Sequence, residues 1–186
     1  MKEYFKLSSG VFIDIGANIG KYSVKLGREL GSRGKVIAIE PEKRNFNILM
    51  RNIELNSLKN VLAFKVACSN KNKEVNLYLR NYNLDNTGHS IKGSVGWPFE
   101  KVGCERLDSL VERLGLSRVD LIKIDVEGAE VEVLEGALKT LKKYKPNIIC
   151  EIKEDNFSKV KQILNHLGYK LKKIDGENHY AYFKEG

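Results

Sequence analysis

Two rhythms of apolar residues alternate along the chain. Short, nearly unbroken apolar runs occur at 11–15 (VFIDI), 35–40 (KVIAIE), 61–66 (VLAFKV), 119–125 (VDLIKID) and 147–152 (NIICEI). Such runs predict strands buried on both faces. Between them, apolar residues recur every three or four positions. One set is Ile19, Tyr22, Leu26 and Leu30, with Ser23 on the same face, and Gly31 and Gly34 close that helix. A second is Phe46, Leu49, Met50 and Ile53. Residues 128–144 read as one helix with Val131, Leu134, Ala137, Leu138 and Leu141 inward and a lysine-rich last turn suited to the helix dipole. Phe157, Val160, Ile163, Leu164 and Leu167 mark a fourth helix. This alternation predicts an α/β protein: a mostly parallel seven-stranded sheet with helices on both faces. YKLKKI and HYAYFK, parted by the turn signal DGEN, predict an antiparallel pair that closes the sheet.

The rhythm breaks in the middle. EVNLYLR alternates apolar and polar, as a strand with one wet face does. Residues 80–98 are polar and rich in Gly and Asn, a long loop read here as a substrate lid. CERLDSLVERLGL predicts a short strand and a short helix that Asp108 caps.

Composition narrows the class. At 186 residues, 1–186 reads as a single domain with room for a full core. No apolar run nears the roughly 20 residues that span a bilayer. MKEYFKLSSG has no apolar stretch of the signal-peptide kind. Cys68, Cys104 and Cys150 match neither a disulfide framework nor a zinc pattern, so the expected setting is the reducing cytoplasm. The net charge of +8 permits an acidic partner, but acids are interspersed among the lysines and no arginine-rich tract appears. A solvated basic surface is favoured over a nucleic-acid groove.

Candidate chemistry begins at DIGANIG, which ends the first strand. Gly16 and Gly20 permit a tight turn and a close backbone approach. The spacing Gly-x-Asn-x-Gly is not the dinucleotide fingerprint, and Asp14 would repel a diphosphate. A cationic ligand without phosphate suits it better, and S-adenosylmethionine is such a ligand. Glu40, at the tip of the second strand, can accept from both ribose hydroxyls. Ala67, Cys68 and Ser69 follow the third strand, where the adenine would lie. Asp125, Glu127 and Glu151 should converge on the same crevice, and something positive must offset them: a sulfonium, a substrate amine, a lysine or a metal ion. Mg²⁺ at Asp125, Glu127 or Glu151 is one open alternative, and no softer metal constellation exists. Glu130 reads as a first-turn acid facing the helix dipole. If a hydroxyl accepts the methyl group, a carboxylate or His89 can take its proton. His166 and His179 read as structural.

VFIDIGANIGKYS, IEPEKRNFNILMRNIELN, ERLDSL, LIKIDVEGAEVEVLEGA and KPNIICEI resemble, in order and spacing, the FkbM family of S-adenosylmethionine-dependent methyltransferases. The resemblance runs from about residue 11 to residue 152. It implies the Rossmann-like class I methyltransferase fold and O-methylation of a small-molecule or sugar hydroxyl. By position it assigns Asp14, Gly16, Asn18, Gly20 and Glu40 to the cofactor; beside them, Ala17, Pro41, Ala67, Cys68 and Asp125 are further expected cofactor contacts from their places at the strand tips. It places Asp125, Glu127 and Glu151 at the reaction centre, to which the loop residue His89 is added as a candidate base. Family members often carry more sequence before the first strand. Acceptor recognition is therefore expected from the 80–98 loop or from a second subunit of a homodimer. An RNA methyltransferase and a non-catalytic cofactor-binding module stand as alternatives.

Overall fold

The computed structural model describes residues 7–79, 88–93, 96–174 and 178–184. The loop expected at 80–98 thus lies partly outside the described residues, as does most of the DGEN turn. Strand β1 (Gly10–Ile15) leads into helix α1 (Lys21–Leu30), and β2 (Gly34–Ile39) into α2 (Lys43–Leu55). Next come β3 (Val61–Phe64), β4 (Ala67–Cys68), β5 (Lys73–Tyr78), β6 (Phe99–Glu105) and α3 (Leu107–Arg113). Strand β7 (Leu121–Ile124) is followed by α4 (Glu130–Glu135) and α5 (Leu138–Tyr144). Strand β8 (Asn147–Glu151), α6 (Phe157–His166), β9 (Tyr169–Lys173) and β10 (His179–Lys184) complete the order.

Seven strands form one sheet in the order β3-β2-β1-β7-β8-β10-β9. The first five run parallel, and β10 is antiparallel to both β8 and β9. Side chains alternate across a strand, so the same residues feed two cores. Phe12, Val36 and Leu121 pack against α1 and α2 on one face, with Leu26, Leu30, Leu49 and Ile53. Val11, Ile13, Ile15, Ile122 and Ile124 face α3 to α6 on the other. Chain order turns back between β1 and β7, and in such sheets that reversal opens a crevice at the carboxyl ends of the strands. Among the described residues no helix is long and apolar enough to cross a membrane.

Strands β4, β6 and β5 form a separate three-stranded sheet with its own small core of Ala67, Leu77, Val102 and Cys104. Two local expectations need correction. The helix read over 128–144 is two helices, α4 and α5. It breaks at Gly136, where a Cβ would lie 2.0 Å from the Ser69 carbonyl oxygen, so the chain is pressed against the end of β4. Asp108 does not cap its own helix, because it lies inside the first turn of α3. Its carboxylate instead accepts from the N–H groups of Lys139 and Thr140 and from the Thr140 hydroxyl. It thereby satisfies the open N-terminus of α5, whose own cap residue, Ala137, has no side chain to do so.

Candidate active site

At the tips of β1, β2, β7 and β8 the chain turns away from the sheet around a cavity of about 230 Å³. Main-chain bonds fix these turns. The Gly16 and Ala17 N–H groups both donate to the Ile39 carbonyl at 3.0 Å, and Asp125 N–H donates to the Ile15 carbonyl at 3.0 Å. Gly16 has φ +75°, and a Cβ there would lie 1.8 Å from the Asp125 carbonyl oxygen. Only glycine fits where the β1 and β7 tips meet.

Glu40 lines the cavity at the tip of β2 and is 5% exposed. One carboxylate oxygen accepts from Asn18 N–H at 2.8 Å and the other from Glu42 N–H at 2.9 Å. Burial pushes its pKa up from 4.5 to about 7, against those two hydrogen bonds. Gly16, Asn18, Pro41, Ala67, Cys68 and Asn45 line the same end. Burial raises the Cys68 thiol far above its ordinary value, so it serves as a wall rather than a nucleophile.

Asp14, Ala17 and Gly20 are not among the residues lining the cavity. Asp14 is fully buried. Being even-numbered on β1, it shares the face of Phe12 and points under α1, where Ser23 Oγ donates to it at 2.6 Å. Its register partner on β7 is Lys123, whose Nζ lies 3.4 Å from Asp14 Oδ1 and 3.2 Å from Asp125 Oδ2. The same ammonium donates to the Gly16 carbonyl at 3.0 Å. Burial opposes charge on Lys123, yet the carboxylates of Asp14 and Asp125 outweigh it and hold its pKa above the ordinary lysine value. Sequence reading passed over this residue. The available signal was a lone charge in the apolar run LIKI, in phase with a lone opposite charge in VFIDI.

Asp125, Glu127 and Glu151 do converge: one oxygen from each lies within 4.8 Å of the others. Part of their charge is offset from within the chain. Lys153 Nζ is 2.6 Å from Glu127 and 3.8 Å from Glu151, Lys123 backs Asp125, and His179 Nε2 is 3.4 Å from Glu151. Of the expected offsets the lysine form is thus present, and the three oxygens lie close enough together to hold a metal ion as well. Burial, then the neighbouring Asp125 and Glu127, raises the pKa of Glu151. Glu127 adopts φ 52° just before Gly128, a conformation costly for a side-chain-bearing residue. Glu130 is buried and accepts from Gly128 N–H at 2.6 Å and from the Asn156 amide, so it braces this turn as well as opening α4.

His89 lines the cavity with Gly88, Ser90 and Ile91. That segment is tied down by a bridge between Ser90 and Tyr78, and by Lys92 Nζ against Glu132 at 2.7 Å. The cavity wall thus includes Glu40, Asp125, Glu127 and Glu151 and, among the described residues, no lysine or arginine. A diphosphate would meet four carboxylates there, whereas S-adenosylmethionine brings a sulfonium and an ammonium and no phosphate.

A family model described as "Methyltransferase FkbM domain" matches residues 14–171. The chain is 29% identical to methyltransferase sdnD of Sordaria araneosa, with 69% of this chain and 61% of that protein covered. It is 29% identical to the 2-O-methyltransferase NoeI of Sinorhizobium fredii, with 72% and 59% covered. The chain therefore spans about 60% of the length of these two relatives. In fold it is similar to the methyltransferase FkbM crystal structure from Methylobacillus flagellatus (TM-score 0.64, 18% identity, 95% of this chain and 44% of that one). It is also similar to fibrillarin of Aeropyrum pernix with natively bound S-adenosyl-L-methionine (TM-score 0.56, 12% identity, 96% and 66%). The fold is the Rossmann-like class I methyltransferase fold.

Proposed function

We propose that this chain, which belongs to the methyltransferase FkbM domain family, moves the methyl group of S-adenosylmethionine onto a hydroxyl of a small molecule or sugar. The observation that carries the reading is the charge of the cavity. Its wall offers carboxylates at both ends and, among the described residues, no lysine or arginine. A cofactor that is cationic and free of phosphate matches that wall.

In this reading Glu40 accepts from the ribose hydroxyls while Asn18 and Glu42 keep its carboxylate in place. Pro41, Ala67 and Cys68 pack against the adenine. The turn at Gly16–Asn18 faces the amino-acid end. When bound, the cofactor supplies an electrophilic methyl group and carries off the electron pair of the broken carbon–sulfur bond. The chain's own task is alignment and proton removal. Asp125 and Glu127 hold the acceptor hydroxyl, and His89 lines the same cavity. Glu151, with its raised pKa, receives the proton. The name of the Sinorhizobium relative, a 2-O-methyltransferase, supports oxygen as the methylated atom.

The test is incubation of the purified chain with methyl-labelled S-adenosylmethionine and separate sugar, natural-product alcohol, RNA and protein fractions. Label in the sugar or alcohol fraction is the expected result. Label in RNA alone would overturn the acceptor class. Calorimetry showing no binding of S-adenosylmethionine would overturn the cofactor assignment itself.

A further inference from the structure

We propose that Lys123 is a positioning residue for the cofactor: its buried ammonium ties the glycine turn after β1 to the acid after β7, and so sets the width of the cavity between them. The inference rests on the reading that this cavity takes S-adenosylmethionine.

Lys123 does not line the main cavity. Its side chain is 8% exposed and sits beneath α1, 5.6 Å from the Tyr22 ring. Burying an ammonium is costly and is offset only by well-placed carboxylates and further hydrogen bonds. Asp14 and Asp125 supply the carboxylates, at 3.4 and 3.2 Å. The third contact carries the inference. At 3.0 Å, Lys123 holds the carbonyl of Gly16, the residue that starts the turn. Charge balance alone has no need of that bond. Asp14 is itself fixed by Ser23 on α1, so the lysine is anchored from behind and reaches forward to two groups. Both of those, Gly16 and Asp125, belong to residues lining the cavity. Asp125 also lines a small chamber of about 40 Å³ on the Lys123 side, so it stands as the partition between the lysine and the cavity.

The lysine thus acts through others: it fixes the Gly16 carbonyl and the Asp125 carboxylate relative to each other. Losing it removes the polar side-chain link between the Gly16 turn and Asp125, and leaves Asp14 as a buried charge without a cation. These two consequences separate in a variant pair. S-adenosylmethionine and S-adenosylhomocysteine would be titrated calorimetrically into the full chain, into Lys123→Met, and into Asp14→Asn/Lys123→Met. Thermal melts would be run in parallel.

Lys123→Met is expected to melt well below the wild type. The double variant, which removes both charges, should recover to within about 5 °C of it. Affinity should not recover. Both variants should bind both ligands about tenfold more weakly or worse, the loss of a hydrogen bond to a charged group. Wild-type affinity in a stable double variant would overturn the proposal and leave Lys123 a stabiliser of the fold alone. Lys123→Arg covers the case in which the Met variants do not fold. It keeps the charge, but a planar guanidinium cannot set one nitrogen against all three acceptors. It should raise both dissociation constants roughly threefold; a folded Arg variant with wild-type affinity would also overturn the proposal. Leu26→Ala is the control, since it disturbs the packing beneath α1 and leaves the lysine and its three contacts in place. It should lower the melting temperature with affinity unchanged. An affinity loss matching Lys123→Met would overturn the assignment, because any disturbance beneath α1 would then suffice. If the wild type binds neither ligand, the cofactor reading itself fails, an outcome distinct from all of these.

Discussion

At one end of the cavity Glu40 is 5% exposed, and main-chain N–H groups occupy both its oxygens. At the other, Asp125, Glu127 and Glu151 have side chains 33%, 25% and 29% exposed and lean on lysines and a histidine. The first arrangement follows from the path of the backbone and holds whatever side chains surround it. The second is set by side chains that one substitution can remove. A position held by main chain suits a ligand that never changes. A position held by side-chain charge suits chemistry that must shift protons.

The sharpest way to break that contrast is at the acidic end. Asp125→Asn and Glu151→Gln should each lower turnover about a hundredfold or more, the usual weight of proton transfer and its alignment. Binding of S-adenosylmethionine should change only a few-fold. Single-turnover rates with the acceptor found by labelling would check this, and unchanged turnover in either variant would remove that residue from the reaction centre. Next in size is the join between the two ends. Gly16→Ala forces a Cβ against the Asp125 carbonyl at φ +75°, and should destabilise the fold by about 2–4 kcal/mol in chemical denaturation.

At the main-chain-held end, Glu40→Ala should weaken S-adenosylmethionine by about 1–3 kcal/mol in calorimetry. The pH dependence there has two opposite signs. The folded pKa of Glu40 is raised from 4.5 to about 7, so the folded state holds a proton that the unfolded state gives up. Stability linked to that proton is full below 4.5 and is lost as pH rises through about 7. Cofactor affinity should rise over the same range, because the carboxylate accepts from the ribose. Glu40→Gln should flatten both trends. The smallest effect belongs to Lys153→Met. Its pair with Glu127 is half in solvent and contributes under about 1 kcal/mol to stability. The loss should still move the acid limb of the rate profile to higher pH, since Lys153 now holds the Glu151 pKa down.

The same contrast governs what could be read from the sequence. The parallel frame was legible because its strands are apolar on both faces and its helices on one. Glu40 was legible because a strand tip fixes where its side chain emerges. Asp14 invites a reading as a cofactor ligand, since it precedes the glycines. Strand alternation sends it under α1 instead, a fact that periodicity contains but that its place in the motif obscures. Lys123, Lys153 and His179 lie on β7, just after β8 and on β10. Their meeting with the acids depends on strand neighbours that no local spacing encodes. The break between α4 and α5 was hidden for a similar reason. Gly136 yields to the Ser69 carbonyl just past β4, more than sixty residues earlier in the chain.

Strands β4 and β6 run side by side, with Ala67 opposite Cys104, and Asn72 accepts from the Arg106 N–H at 2.7 Å. The chain therefore leaves the cofactor frame and rejoins it at almost the same place. Residues 69–103 lie between those two points, and their described part brings Leu77 and the 88–91 segment to the cavity wall. Exchanging residues 69–103 for another segment of any length whose ends lie equally close would cut none of the main-chain bonds around Glu40. A lineage, or an engineer, can thus exchange this wall of the cavity by replacing a single stretch of gene while the frame around Glu40 stays as it is.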